Sequence, residues 1–269
     1  MEESGVSGAE VSAREKILGK GHPNPRKDLV SLALLSYRID FDVLHHHLAE
    51  ELVSGYLRYI VDISDDPRVL RTMQPSDPIL ADLSARQMQT RGEMRRRALE
   101  TLHTGVVEGI IRLSDIGETV AALILLFAFD KLQAERLPTA ARFSDFLASL
   151  LPKNKVLVLE GRMRDNEQMQ HLWTDGYVFF NHFVRTTEKP TAETLRWAYQ
   201  RGAVIFRPFG YKGCDIIIPV ALPEDNVMNH FIILVKSRRD DALTLLSAMK
   251  PETQRSPPQG FYHRRPRRM

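Results

Sequence analysis

The stretch YKGCDIIIPVALPEDNVMNHFIILVKS, Tyr211 to Ser237, decides how the chain is read. Two apolar, β-branched runs flank a short polar loop, the pattern of a hairpin. The first run opens on Asp215 and the second closes on Lys236. Side chains alternate faces along a strand, so Leu234 and Lys236 share one face and Val235 takes the other. An antiparallel pairing through PEDNVMNH places Asp215 and Lys236 at the same end of the hairpin. Pro219 inside the first run predicts an edge strand or a bulge. A packed core requires neither the carboxylate nor the ammonium.

Working outward, GCDIIIPVAL is preceded by AVIFRPF, a third strand, and followed by DDALTLLSAM, a helix. TAETLRWAYQRG reads as a helix with Gly202 just past its end. KVLVLEG and YVFFNHFVR read as strands, and TAARFSDFLASLL as a short helix. The N-terminal half looks helical. From Asp28 to about Ile63 the apolar residues Phe41, Leu44, Leu48, Leu52 and Tyr59 recur at helical spacing. A second helix starts at Pro78 and runs past Leu102, with proline at its first position. SDIGETVAALILLFAFDKLQ, apolar on nearly every side, reads as a buried third helix. Helices first, then strands with helices among them, predict an α+β protein with an α/β core and a helical N-terminal half. Residues 1–26 read as disordered, 27–109 as helical and 251–269 as a disordered basic tail, and the composition shifts toward strands near residue 150.

The 269 residues are 43% apolar and carry a net charge of +3. Residues 250–269 hold six basic residues against Glu252, so the remainder sums to −2. The basic character lies in the tail, with Arg264, Arg265, Arg267 and Arg268 as candidate nucleic-acid contacts or an import signal. One cysteine, Cys214, excludes a disulfide framework and a thiolate zinc site and suits a reducing compartment. The N-terminus lacks the apolar stretch of a signal peptide. The longest apolar run, Val120 to Phe129, is half what a bilayer requires. The expectation is an intracellular protein, nuclear or cytoplasmic, with no membrane partner.

Other clusters have local explanations. Three consecutive histidines, His45 to His47, would fan around a helix rather than converge, although His46 with Glu50, or His47 with Glu51, fits an i,i+4 pair. Arg91, Arg95, Arg96 and Arg97 are interleaved with Glu93 and Glu100, as on a solvated charged face. The aromatics around Trp173, Tyr177, Phe179, Phe180, Phe183 and Trp197 suit a core, or stacking against bases. Asp115 followed by Glu118 has the spacing of a helix N-cap and its N3 partner.

A helix bearing Glu118, a strand AVIFRPF, a strand opening on Asp215 and a strand closing on Lys236 together resemble the PD-(D/E)XK nuclease superfamily. The run Gly213-x-Asp215-x-x-Ile218-Pro219-Val220 before a Val-Lys strand also resembles a group of fungal proteins of that fold. The resemblance covers roughly residues 110–250. It implies a restriction-endonuclease-like mixed sheet, possible truncation after the third strand, and DNA as the partner bound or cleaved. Asp215 and Glu118 would hold Mg²⁺ or Mn²⁺, and Lys236 would assist the attacking water as a catalytic residue beside Asp215. Hard divalent cations take carboxylate oxygens and neutralise charge on a phosphate. The chain departs from the pattern at Leu234, where a glutamate or glutamine is expected. Leucine offers no oxygen, so the implied site is incomplete unless Glu224 or Asp225 contributes. The alternative is a non-catalytic module on the same scaffold that binds nucleic acid or a protein through its helical surface.

Overall fold

The computed structural model describes residues 26–63, 70–90, 92–113, 115–133, 139–186, 190–207, 214–222, 227–235 and 239–249. It is an α+β protein with a helical N-terminal half. In chain order come α1 (Lys27–Ser36), β1 (Asp42–Val43), α2 (His46–Gly55), β2 (Tyr59–Ile63), β3 (Leu70–Met73), α3 (Pro78–Thr90), α4 (Gly92–Val107) and β4 (Ile111–Arg112). Next are α5 (Ile116–Gln133), β5 (Ala141–Arg142), α6 (Phe143–Leu150), α7 (Lys153–Arg164), α8 (Glu167–Asp175), β6 (Tyr177–Val178) and β7 (His182–Arg185). The chain continues through α9 (Ala192–Gln200), β8 (Ala203–Phe206), β9 (Ile216–Leu222), β10 (Val227–Ile233) and α10 (Arg239–Ala248).

The main sheet is built on β9. Along one edge β9 pairs antiparallel with β10 over its whole length, Ile216 opposite Ile233 and Leu222 opposite Val227. Along its other edge it pairs with β8 at Ile216 and Ile217 and with β6 at Ala221. β7 lies parallel to β8, and β5 antiparallel to β6. The strand is therefore internal, not the edge strand that Pro219 predicts. The proline is accommodated because it falls in the interval where β8 pairing has ended and β6 pairing has not begun, so the ladder has a gap there.

β8 and β9 are continuous apolar runs because both of their faces are covered. Val204, Phe206, Ile216, Ile218 and Val220 face the main core. Ala203, Ile205 and Ile217 face the other way, onto Leu195 and Ala198 of α9. α9 is capped as its sequence suggests: Thr191 accepts from the Thr194 amide, and Gly202 follows with φ of +63°. α5 is the helix buried on nearly every side, and its Phe129 ring stacks on Phe180, 4.5 Å between centroids.

One core runs through both halves, from Leu29 to Leu246. A buried polar spine crosses it too. Arg38 after α1 makes a two-pronged ion pair with Asp130 of α5, both bonds 2.7 Å, and its Nε donates to the Asn181 carbonyl at 2.9 Å. The Phe183 amide donates back to the Arg38 carbonyl at 2.8 Å. Beside it, His182 stands 2.9 Å by Nε2 from the Ser76 hydroxyl and 2.8 Å by Nδ1 from Asn181 Oδ1.

Several expectations are corrected. KVLVLEG is the body of helix α7, started by Pro152, and it leaves Leu157 and Val158 exposed. YVFFNHFVR is two strands, broken at Phe179–Asn181, where the Asn181 and His182 amides both turn to the Gly202 carbonyl. The run to Ile63 is two helices followed by β2, which pairs with β3 as a hairpin. Tyr59 and Leu44 of the proposed helical stripe are exposed, while Phe41 and Leu52 are buried. The long helix from Pro78 is two, α3 and α4. Pro78 does stand first in α3, behind Asp77, whose carboxylate accepts from the Ile79 and Leu80 amides. Residues 1–25 and the basic tail lie outside the described residues.

Candidate functional site

The topology gathers four strand ends at one edge of the sheet. β7 ends on Arg185, and β8, parallel to it, leads into Arg207. β9 starts after Asp215, and β10 ends before Leu234 and Val235. The Arg207 amide donates to the Asp215 carbonyl (3.0 Å), and the Asp215 amide to the Ile233 carbonyl (3.1 Å). The Asp215 side chain is fixed as well: Oδ2 accepts from the Val235 amide at 2.6 Å.

Glu118 reaches the same end from the first turn of α5. Its backbone amide is capped by Asp115, which accepts at 2.9 Å, so that part of the capping expectation holds. The Glu118 carboxylate turns to Arg185, with Oε2 3.7 Å from a guanidinium nitrogen. The glutamate side chain is 12% exposed and the arginine 40%. Burial raises the Glu118 pKa, and Arg185 offsets part of that rise. The negative charges of Asp115 and Asp215 raise it further. Asp215 thus adds a small repulsion to Glu118, weaker than that of Asp115. Like charges held together disfavour ionisation, and a cation between them relieves it.

Two predicted site residues, Glu118 and Asp215, thus lie at the same end of the sheet. Lys236 follows Val235 in sequence, but it lies outside the described residues, as do Glu224, Asp225, Arg264, Arg265, Arg267 and Arg268. Leu234, at the position where a ligand oxygen is expected, is 54% exposed. Arg185 was missed by the sequence reading. Its signal was a cation closing an apolar run of sequence, as Lys236 closes FIILVK. The guanidinium lies over the Phe206 ring, 4.7 Å from its centroid, which holds it at the sheet edge. Cys214 is buried, and burial pushes its thiol pKa up, so it has no thiolate character.

The pair suits a hard cation. Mg²⁺ commonly takes one or two carboxylates and keeps several waters. Glu118 and Asp215 supply that many, one Asp215 oxygen already serving the Val235 amide.

The other sequence clusters resolve differently. Arg96 pairs with Glu100, and Arg97 with Glu93 and Asp28, while Arg95 lies over the Phe127 ring. Phe180 and Phe183 are core, whereas Trp197 is 44% exposed with Arg201 over its ring. Among the described residues, no helix is long and apolar enough to cross a membrane.

Neither the curated proteins nor the solved structures contain a match to this chain. A family model, described as a domain of unknown function (DUF8736), matches residues 21–250, and the chain belongs to that family.

Proposed function

We propose that this chain is a divergent nuclease-like protein that binds a hard divalent cation, Mg²⁺ or Mn²⁺, at Glu118 and Asp215 and engages a nucleic-acid phosphodiester there. The observation that carries the reading is the placement of two acids 97 positions apart at one end of the sheet, Asp215 at the start of β9 and Glu118 in the first turn of α5 beside Arg185 at the end of β7. When bound, such a cation would polarise a phosphoryl oxygen and offset its negative charge. Asp215 is held for that task by the Val235 amide, and Glu118 by the N-terminal turn of α5. Arg185 stands beside Glu118 with a donor fork suited to phosphate oxygens. Lys236, next in sequence to Val235, is the residue to which this reading assigns the activation of water. The arginine-rich tail would add affinity for DNA without sequence preference. The single cysteine and that tail would suit the nucleus or cytoplasm.

A second reading, binding without cleavage, is favoured by the Arg185–Glu118 ion pair and by Leu234. A fixed guanidinium supplies charge that a catalytic site draws from its metal, and the third ligand oxygen is missing. The β2–β3 hairpin and its approach, with Leu57, Tyr59, Ile60, Val61 and Met73 37–45% exposed, offer a protein-facing surface to such a module.

The test is incubation of the full chain with plasmid and linear DNA, with and without Mn²⁺, beside Glu118→Gln, Asp215→Asn and Lys236→Ala. Cation-dependent nicking lost in the variants establishes the nuclease. Cation-dependent binding without nicking establishes the module. Absence of both overturns the reading.

A further inference from the structure

We propose that His46, His47 and Glu50 form a binding site for a first-row transition cation, Zn²⁺ above all. Consecutive histidines on a helix diverge, but α2 begins only at His46. His45, with φ −87° and ψ 118°, is extended backbone ahead of the helix, so only two of the three rings obey helical geometry. Glu50, one turn on, lies beneath both. His46 Nδ1 is 3.4 Å from one Glu50 oxygen, and His47 Nδ1 is 3.2 Å from the other. Among the described residues, these are the three histidine, cysteine or carboxylate side chains whose donor atoms all lie within 4.8 Å of one another.

Those separations have a metrical meaning. Bonds of about 2.0–2.1 Å to a tetrahedral zinc ion set neighbouring ligand atoms about 3.4 Å apart. Each histidine stands at about that length from one Glu50 oxygen, His46 from Oε1 and His47 from Oε2, so a small turn of the carboxylate is needed for both to share one ligand oxygen. The two imidazoles, 6.1 Å apart between ring centroids, must turn toward one another to share an ion, and both rings are solvent-accessible, with side-chain exposures of 37% and 84%. Two imidazoles and one carboxylate make the three-ligand set that leaves a fourth position open. His45 and His47 also line a cleft of about 510 Å³ against α4, shared with Glu51, Glu100 and Glu108. Arg26 lines the cleft too and pairs with Glu51, but with Asp28 the lining keeps a net negative charge that favours a cation, and the cleft gives the fourth position room for water or a small ligand.

The donor set separates this site from the one at Glu118 and Asp215. Imidazole nitrogen selects Zn²⁺, Ni²⁺ or Cu²⁺, whereas carboxylate oxygen alone suits Mg²⁺ and Mn²⁺. The proposal rests on the geometry of α2 and stands whether or not the nuclease-like reading does. The competing explanation is two surface ion pairs on one carboxylate, which would bind no metal.

The experiment is a Zn²⁺ titration of the tag-free full chain by calorimetry, with Co²⁺ absorption as a report of coordination. One equivalent is expected, with a tetrahedral Co²⁺ band that excess Mg²⁺ does not displace. His46→Ala, His47→Ala and Glu50→Gln should each weaken Zn²⁺ at least about tenfold. His171→Ala, which removes the single imidazole facing Asp175, should change nothing. All of these positions are solvent-accessible, and circular dichroism reports folding independently. Zn²⁺ uptake that is absent in the native chain, or that is unchanged in the three variants, overturns the proposal.

Discussion

Acid should unfold this protein through His182. The ring is 1% exposed, and its pKa is held down to about 4 from an ordinary 6.5. Burial is the largest cause, and the positive charges of Arg201 and Arg38 add to it against Asp77. The folded state therefore keeps the imidazole neutral, while the unfolded chain protonates it near pH 6.5. Below that value the unfolded state binds more protons, so stability falls as the pH drops from about 6.5 to about 4. With those two values the loss between pH 7 and pH 5 is about 2 kcal/mol, and about 3 kcal/mol when complete. His182→Gln isolates the effect. Glutamine cannot reproduce both the Ser76 and Asn181 bonds, so the variant should be about 1–3 kcal/mol less stable at pH 7. Since glutamine does not titrate, that deficit should shrink by about 2 kcal/mol at pH 5. Urea unfolding of both proteins at the two pH values, at fixed ionic strength, measures the difference of differences. A deficit of equal size at both pH values would refute the reasoning, because it would mean that His182 titrates alike in both states.

Other outcomes follow from single contacts. Replacing Arg38 with Met strands Asp130 in the core and should cost about 3–5 kcal/mol in chemical denaturation. Arg185→Ala removes the cation that opposes burial at Glu118, so the Glu118 pKa should rise further, read by NMR titration of its carboxyl carbon. Gly202→Ala places a side chain at φ +63°, with Phe179 3.0 Å from the new carbon. It should lose about 1–2 kcal/mol or more in the same denaturation assay.

What was legible in the sequence was what the local pattern and burial agree upon. The Ile216–Leu222 and Val227–Ile233 hairpin, the Gly202 stop and the Asp115 cap each express a rule within a few residues. That Asp215 and Glu118 share one end of the sheet was legible in part, because antiparallel pairing sets Asp215, just before β9, beside the end of β10, and because Glu118 opens α5. Arg38 and Asp130 are 92 positions apart, and nothing near either one announces the other. KVLVLEG misled because α7 buries Met163 alone, so burial imposed no helical period on its valines and leucines. The β2–β3 hairpin was hidden for the opposite reason. Tyr59, Ile60 and Val61 are all exposed, and no alternation marks them as a strand. His46 and His47 converge on Glu50 because it stands four and three positions after them, one helical turn on, a relation that the run of three histidines by itself does not show.

The most direct measurement of the central claim is a Mn²⁺ titration of the full chain followed by electron paramagnetic resonance, in a His46→Ala/His47→Ala background that silences the imidazole site. The account predicts one Mn²⁺ site that Mg²⁺ displaces, that Glu118→Gln and Asp215→Asn each abolish, and that a short DNA duplex tightens. Mn²⁺ uptake that is the same with and without those two carboxylates, or no uptake at all, would contradict it.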